Sequence, residues 1–362
     1  MPWTKVCIDK NEFEAGLGRE GLRGISYREA IREAQRQMME KDERVFILGE
    51  GVDDPGGIFG TTSGLGERFG QERVMDVAIA ENGITGVAIG AAMAGMKPVF
   101  VHMRMDFLPM CMDQIFNHAA KWYYMTGGAV NVPIVIRSII GRGWGSAAQH
   151  SQALHALFTH IPGLKVAIPS TPYDAKGLLI GALEDGNPVM FVEHRWVYDY
   201  VGYVPEEIYK IPLGKGVIRK PGRDITIVAI SQMVYEAMKA AKVLAAEGID
   251  VEVIDPRSLK PLDEELIFES VKKTGHLLIA DVACKTGGVG AEIACRVCES
   301  VLEYLKAPVA RVNFPDVPTP CSPVLEEAFY PSSTDIINSI KRVINHGRSK
   351  ESTSQHYYAC AQ

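Results

Sequence analysis

The chain has 362 residues, of which 47% are hydrophobic and 23% charged, and a formal net charge of −6. That is enough chain for two domains with separate cores, and the acidic balance without a long Lys/Arg block argues against nucleic acid or an anionic membrane as the main partner. The first residues lack the basic-then-apolar order of a secretion signal, and no stretch of about 18 residues is free of charged or strongly polar side chains. With seven scattered cysteines that suit reduced thiols, these features place the protein in the cytoplasm.

From residue 44 onward, short Val/Ile-rich runs alternate with longer helical patterns. Helices are predicted at 26–40, 83–94, 110–126 and 173–184, and strands at 44–50, 97–103, 132–140, 165–170 and 188–194. Around 200–216 the pattern lapses into prolines and glycines, which marks a domain connection. A second series follows, with strands at 224–231, 250–259, 276–282 and 308–314 and helices at 233–247, 263–274, 289–305 and 333–345. The polar, aperiodic tail is predicted to be disordered. Strands alternating with helices imply an α/β fold with mainly parallel sheets.

Cys295 and Cys298 form a CxxC without a second ligand pair, and their helical setting predicts core packing. Neither GLGERFG (64–70) nor TGGVGAE (286–292) has the glycine spacing of a dinucleotide site at a strand-to-helix turn. Two stretches carry chemistry instead. In DVAIAENGITGVAIGAAMAG (76–95), Glu81 is the one acid after Asp76 in an apolar run, where an unpaired carboxylate is costly. In GRGWGSAAQHSQ (141–152), a glycine-rich loop after an apolar strand delivers His150 to where parallel sheets place ligands.

The blocks AENGITGVAIGAAMAGMKPV, DFLPMCMDQIFNHAAKWYYMTGG, QHSQALHALFTHIPGLKVAIPSTPYDAKGLL, GNPVMFVEH, VEVIDPRSLKPLDEE and TGGVGAEIA together resemble the β subunit of the thiamine-diphosphate-dependent 2-oxo acid dehydrogenases, across residues 22–342. The resemblance implies a transketolase-like pyrimidine-binding domain at 22–205, a transketolase C-terminal-like domain at 215–345, and the tail at 346–362. It implies that Glu81 hydrogen-bonds the cofactor's aminopyrimidine ring, that Phe107 stacks on that ring, and that the Ile79 backbone lines it. His150 would face the substrate during acyl transfer. Ile134, Ala182, Asp185 and Asn187 match a loop that holds a monovalent cation such as K⁺ in several relatives, through backbone carbonyls and one carboxylate.

No GDG segment, which binds the Mg²⁺ of the diphosphate in this superfamily, occurs in the chain. An α subunit carrying that motif is therefore implied, in an α2β2 heterotetramer, with a lipoyl-bearing acyltransferase as a further partner and a 2-oxo acid or ketone as substrate. His102 and Arg104 depart from the family's usual residues and read either as partners of a carboxylate, such as Asp106 or one on the α subunit, or as two cationic groups suited to a phosphorylated or dicarboxylic substrate. Asp281, Cys284 and Cys321 depart in regions of subunit contact and carrier docking. A split transketolase, an acetoin-cleaving enzyme and a non-catalytic assembly subunit are the alternatives. Retention of Glu81, Phe107 and His150 together argues against the last.

Overall fold

The computed structural model describes residues 2–9, 11, 13–14, 16–17, 22–141 and 145–346. The predicted tail from 347 on and residues 142–144 of the His150 loop lie outside them. The chain forms two compact units. The first holds residues 1–215, 257–262 and 318–326, and the second 216–256, 263–317 and 327–362.

The strands are β1 (Gly24–Ser26), β2 (Val45–Gly49), β3 (Val74–Asp76), β4 (Lys97–His102), β5 (Val135–Ile140), β6 (Lys165–Ala167), β7 (Val189–His194), β8 (Val201–Tyr203), β9 (Val217–Lys220), β10 (Ile225–Ala229), β11 (Val251–Asp255), β12 (Ser258–Lys260), β13 (Leu277–Cys284) and β14 (Ala310–Phe314). In the first unit, β12-β6-β7-β5-β4-β2-β3 form a seven-stranded sheet, parallel except for the β12–β6 pair. β2, β5 and β7 are buried along their whole length, which is why they read as mainly apolar runs rather than alternating ones, with Arg137–Ser138 and Glu193–His194 as the polar exceptions.

Helix α1 (Tyr27–Lys41) starts at Ser26, whose side chain accepts from the Glu29 N–H while Glu29 returns the bond to the Ser26 N–H. It buries Tyr27, Ala30, Ile31, Ala34 and Met38, and packs on the later helix Pro172–Leu183, which begins at Thr171 with proline in its first turn.

A polar cluster lies inside this core. Arg137 on β5 is fully buried, with Nε 2.6 Å from Glu193 Oε1 and Nη2 2.8 Å from Glu193 Oε2 on β7. Its remaining donors reach Gln35 Oε1 of α1 at 2.7 Å and Thr61 Oγ1 at 2.9 Å, while the Tyr198 hydroxyl donates to Glu193 Oε2 at 2.7 Å. Burial and the adjoining carboxylate push the Tyr198 phenol well above its ordinary range, so it stays a donor. Every charged atom is answered, as a buried ion pair requires.

The second unit has a five-stranded sheet, β14-β13-β10-β11-β9, parallel except for the edge pair β11–β9.

Three expectations are corrected. The helix predicted at 110–126 is not continuous: its first residues end a 3₁₀ segment (Met105–Cys111), and a π segment (Gln114–Ala119) and a short α-helix (Trp122–Met125) follow. The strand predicted at 250–259 is two strands: β11 belongs to the five-stranded sheet, whereas β12 lies antiparallel to β6 in the other. Between them Arg257 takes a left-handed φ of 60° and its Nε lies 2.8 Å from Asp174 Oδ1. Cys295 and Cys298 are exposed, since helix Val289–Val301 turns Val289, Ile293, Val297 and Val301 inward at spacings of four.

Candidate active site

Along the seven-stranded sheet the chain passes from β2 outward to β3 and then returns to place β4 on the other side of β2. Connections therefore diverge at the carboxyl ends of β2 and β4, and such a divergence leaves a crevice in parallel sheets. A cavity of about 260 Å³ lies there. Glu50 follows β2, Val77 and Ala78 follow β3, and Phe100, Val101 and His102 end β4. Glu81, Phe107, Arg104 and His150 complete the wall.

Glu81 is the first residue of helix Glu81–Met93 and is only 9% exposed. Among the described residues no donor engages its carboxylate, although its carbonyl accepts from Thr85 Oγ1 at 2.6 Å. It stands at a helix N-terminus, and apolar neighbours such as Val77, Ala78 and Ile84 withhold water. Phe107 and His150 meet edge to face with centroids 5.3 Å apart. The His150 loop is tied to the Phe107 segment by the Gln152 N–H, which donates to Asp106 Oδ1 at 3.0 Å.

His102 and Arg104 both line the cavity, but they are not two charges. Burial lowers the His102 imidazole to about 3, so it is neutral at physiological pH, and its buried Nε2 has no partner among the described residues. Arg104 Nη1 donates to the Gly141 carbonyl at 2.9 Å, with Nη2 3.4 Å from Ser146 Oγ. Gly141 has φ 88°, and a Cβ there would fall 2.5 Å from the His194 ring, so glycine alone allows this approach.

Sequence reasoning missed Glu50, although a carboxylate closing an apolar strand just before a glycine was a usable signal. Burial raises its carboxyl, with help from the negative charges of Glu81 and Asp76. A carboxyl raised in the folded state favours folding below the unfolded value, and that contribution disappears as pH climbs through the folded value. Glu50→Gln is therefore expected to gain stability over the parent at pH 7 and to lose that advantage near pH 4. Thermal unfolding of both proteins at the two pH values measures this.

Ile79, expected to act through its backbone, has an 81% exposed side chain that does not line the cavity and lies in the segment between the lining residues Ala78 and Glu81. Ile134 and Ala182 are buried, and their carbonyls accept the Val189 and Asp185 N–H groups. Asp185 already has a counter-ion, since Lys165 Nζ lies 2.5 and 2.6 Å from its two oxygens. Asn187 Oδ1 is buried with no donor on it. The carboxylate of this group thus already has a counter-charge, while a carbonyl that accepts one N–H keeps a second lone pair. Among the described residues no cluster of three His, Cys, Asp or Glu could hold a metal ion. Cys321 lies 3.4 Å from the Gly145 carbonyl, Asp281 is buried on β13, and Cys284 is exposed at that strand's end.

Residues 23–199 match the pyrimidine binding domain of transketolase and residues 214–336 its C-terminal domain. The chain is 45% identical over 328 residues to the acetoin:2,6-dichlorophenolindophenol oxidoreductase β subunit of Bacillus subtilis (strain 168), covering 87% of this chain and 96% of that one. It is 44% identical over 319 residues to the pyruvate dehydrogenase E1 component β subunit of Rickettsia bellii (strain RML369-C), covering 88% and 98%. The chain belongs to the family of E1 β subunits. Members are thiamine-dependent oxidoreductases with the two-domain transketolase-like fold seen here. A solved split-gene transketolase, described as an inactive β4 tetramer, superposes on this E1 β chain with a TM-score of 0.72 at 27% identity, over 89% of this chain and 99% of its own. Among the described residues no helix of this E1 β chain is long and apolar enough to cross a membrane.

Proposed function

We propose that the cavity takes the pyrimidine end of thiamine diphosphate, with Glu81 as its proton-holding group, and that the diphosphate and its Mg²⁺ are held by an α-type partner. The buried Glu81 carboxylate, which no donor in the described chain engages, carries this reading. The donor set fits: a carboxyl oxygen in an apolar wall can share a proton with a weakly basic ring nitrogen, and Phe107 offers a stacking face. Thiamine diphosphate, when bound, supplies the carbanion chemistry that breaks a carbon–carbon bond beside a carbonyl. Glu81 holds and returns a proton, the apolar lining excludes water, and His150 presents its ring from the loop facing Phe107. No step is assigned to a monovalent cation, because Lys165 already neutralises Asp185.

The lining has little positive charge for a diphosphate, and the chain has no GDG segment. The inactive all-β assembly of the split transketolase supports the same division of labour. Reconstitution tests it: thiamine-dependent dye reduction should appear when an α-type chain carrying GDG is added, and neither chain should act alone. Full activity of this chain by itself would overturn the reading.

With His102 neutral, Arg104 is the one guanidinium among the described residues lining the cavity, which suits a single carboxylate such as that of a 2-oxo acid rather than a doubly anionic compound. Arg104→Ala is expected to raise KM for pyruvate or 2-oxoisovalerate about tenfold or more, the loss of one charge-assisted hydrogen bond, with KM for neutral acetoin nearly unchanged. Equal KM changes for acid and acetoin would refute the assignment.

A further inference from the structure

The second unit has a hollow of about 300 Å³ beside β14, the outer strand of its sheet. Lys285, Arg311, Arg342 and His346 line it, together with an apolar wall that includes Pro308 and Val343, and no acidic residue does. Elsewhere in this unit cations are answered by acids: Arg219 by Asp255, Lys220 and Arg223 by Asp250, Lys239 by Glu236, Lys273 by Glu252, Arg296 by Glu264 and Lys341 by Glu247. Among the described residues Lys285, Arg311 and Arg342 have no carboxylate within ion-pair distance.

In a chain of net charge −6, three uncompensated cations around one hollow repel one another, and a bound polyanion would relieve that repulsion. Two of the three are guanidinium groups, whose forked donors match phosphate oxygens. Both are tethered: Arg311 Nη1 donates to the Lys285 carbonyl at 3.0 Å, and Arg342 Nη2 lies 3.4 Å from Ser339 Oγ. The hollow is at the lower end of small-molecule site sizes, room for a diphosphate with part of an organic group against Pro308 and Val343. We propose that it binds an organic diphosphate of the nucleoside diphosphate class.

Calorimetric titration of the full chain at low salt with ADP, inorganic pyrophosphate and an all-glutamate hexapeptide tests this. ADP should bind more tightly than pyrophosphate, with affinity falling as salt rises. Lys285→Gln/Arg342→Gln replaces two exposed side chains without disturbing the core and should weaken ADP about tenfold or more, whereas Glu81→Gln should bind ADP as the parent does. The proposal fails if neither anion binds, if the double variant keeps full affinity, if the hexapeptide binds and ADP does not, or if Glu81→Gln loses ADP.

Discussion

Glu81→Gln is expected to lower turnover of the reconstituted αβ enzyme by about 10²–10⁴-fold, the usual contribution of a positioned general acid–base group. The substitution keeps the size and shape of a side chain that is 9% exposed and makes no hydrogen bond through its carboxylate to the described chain, so folding should be unaffected. What it removes is the capacity to hold and return a proton. The amide can still hydrogen-bond a ring nitrogen, so cofactor binding should weaken far less than turnover. A separation of kcat from cofactor affinity distinguishes loss of a proton carrier from collapse of the cavity. Unchanged kcat would assign the chemistry to another group, with Glu50 the nearest carboxyl on the same wall.

The second large effect concerns the core beneath the cavity. Arg137→Met is expected to destabilise the first unit by about 3–5 kcal/mol, because Glu193 would remain buried as an uncompensated charge. Thr61 and Gln35 lose their guanidinium partner as well, and Thr61 lies two residues after Phe59, which lines the cavity, in the loop between β2 and the helix Leu65–Phe69. Activity should therefore fall with stability even though Arg137 touches no ligand. Glu193→Leu combined with Arg137→Met should cost much less than the sum of the single changes, since no charge is stranded. Urea unfolding of the three variants measures the coupling. Additive losses would show that the pair is held by its neighbours rather than by mutual charge.

The sequence and the structure agree where local signals and tertiary demands coincide. The runs that became β2, β4, β5 and β7 are mainly apolar because the sheet is covered on both faces, and Ser26 with Glu29 announces α1 by its capping box. Gathering Glu81, Phe107 and His150 onto one wall could not be read from spacing. It depends on the strand order, which the resemblance alone conveyed. The predicted helix at 110–126 failed because apolar spacing does not distinguish α from 3₁₀ and π turns, and the strand at 250–259 because a left-handed Arg257 redirects the chain between sheets. His102 was misjudged for another reason: its charge is set by complete burial at the end of β4, a property of the packed sheet and not of the residue.

The central claim concerns where one carboxyl group points. A crystal structure of this chain with its α partner and thiamine diphosphate should place a Glu81 carboxyl oxygen within about 2.6–3.2 Å of a pyrimidine ring nitrogen, with Phe107 against the ring face. A cofactor bound elsewhere, or Glu81 turned into bulk water in that complex, would contradict the account.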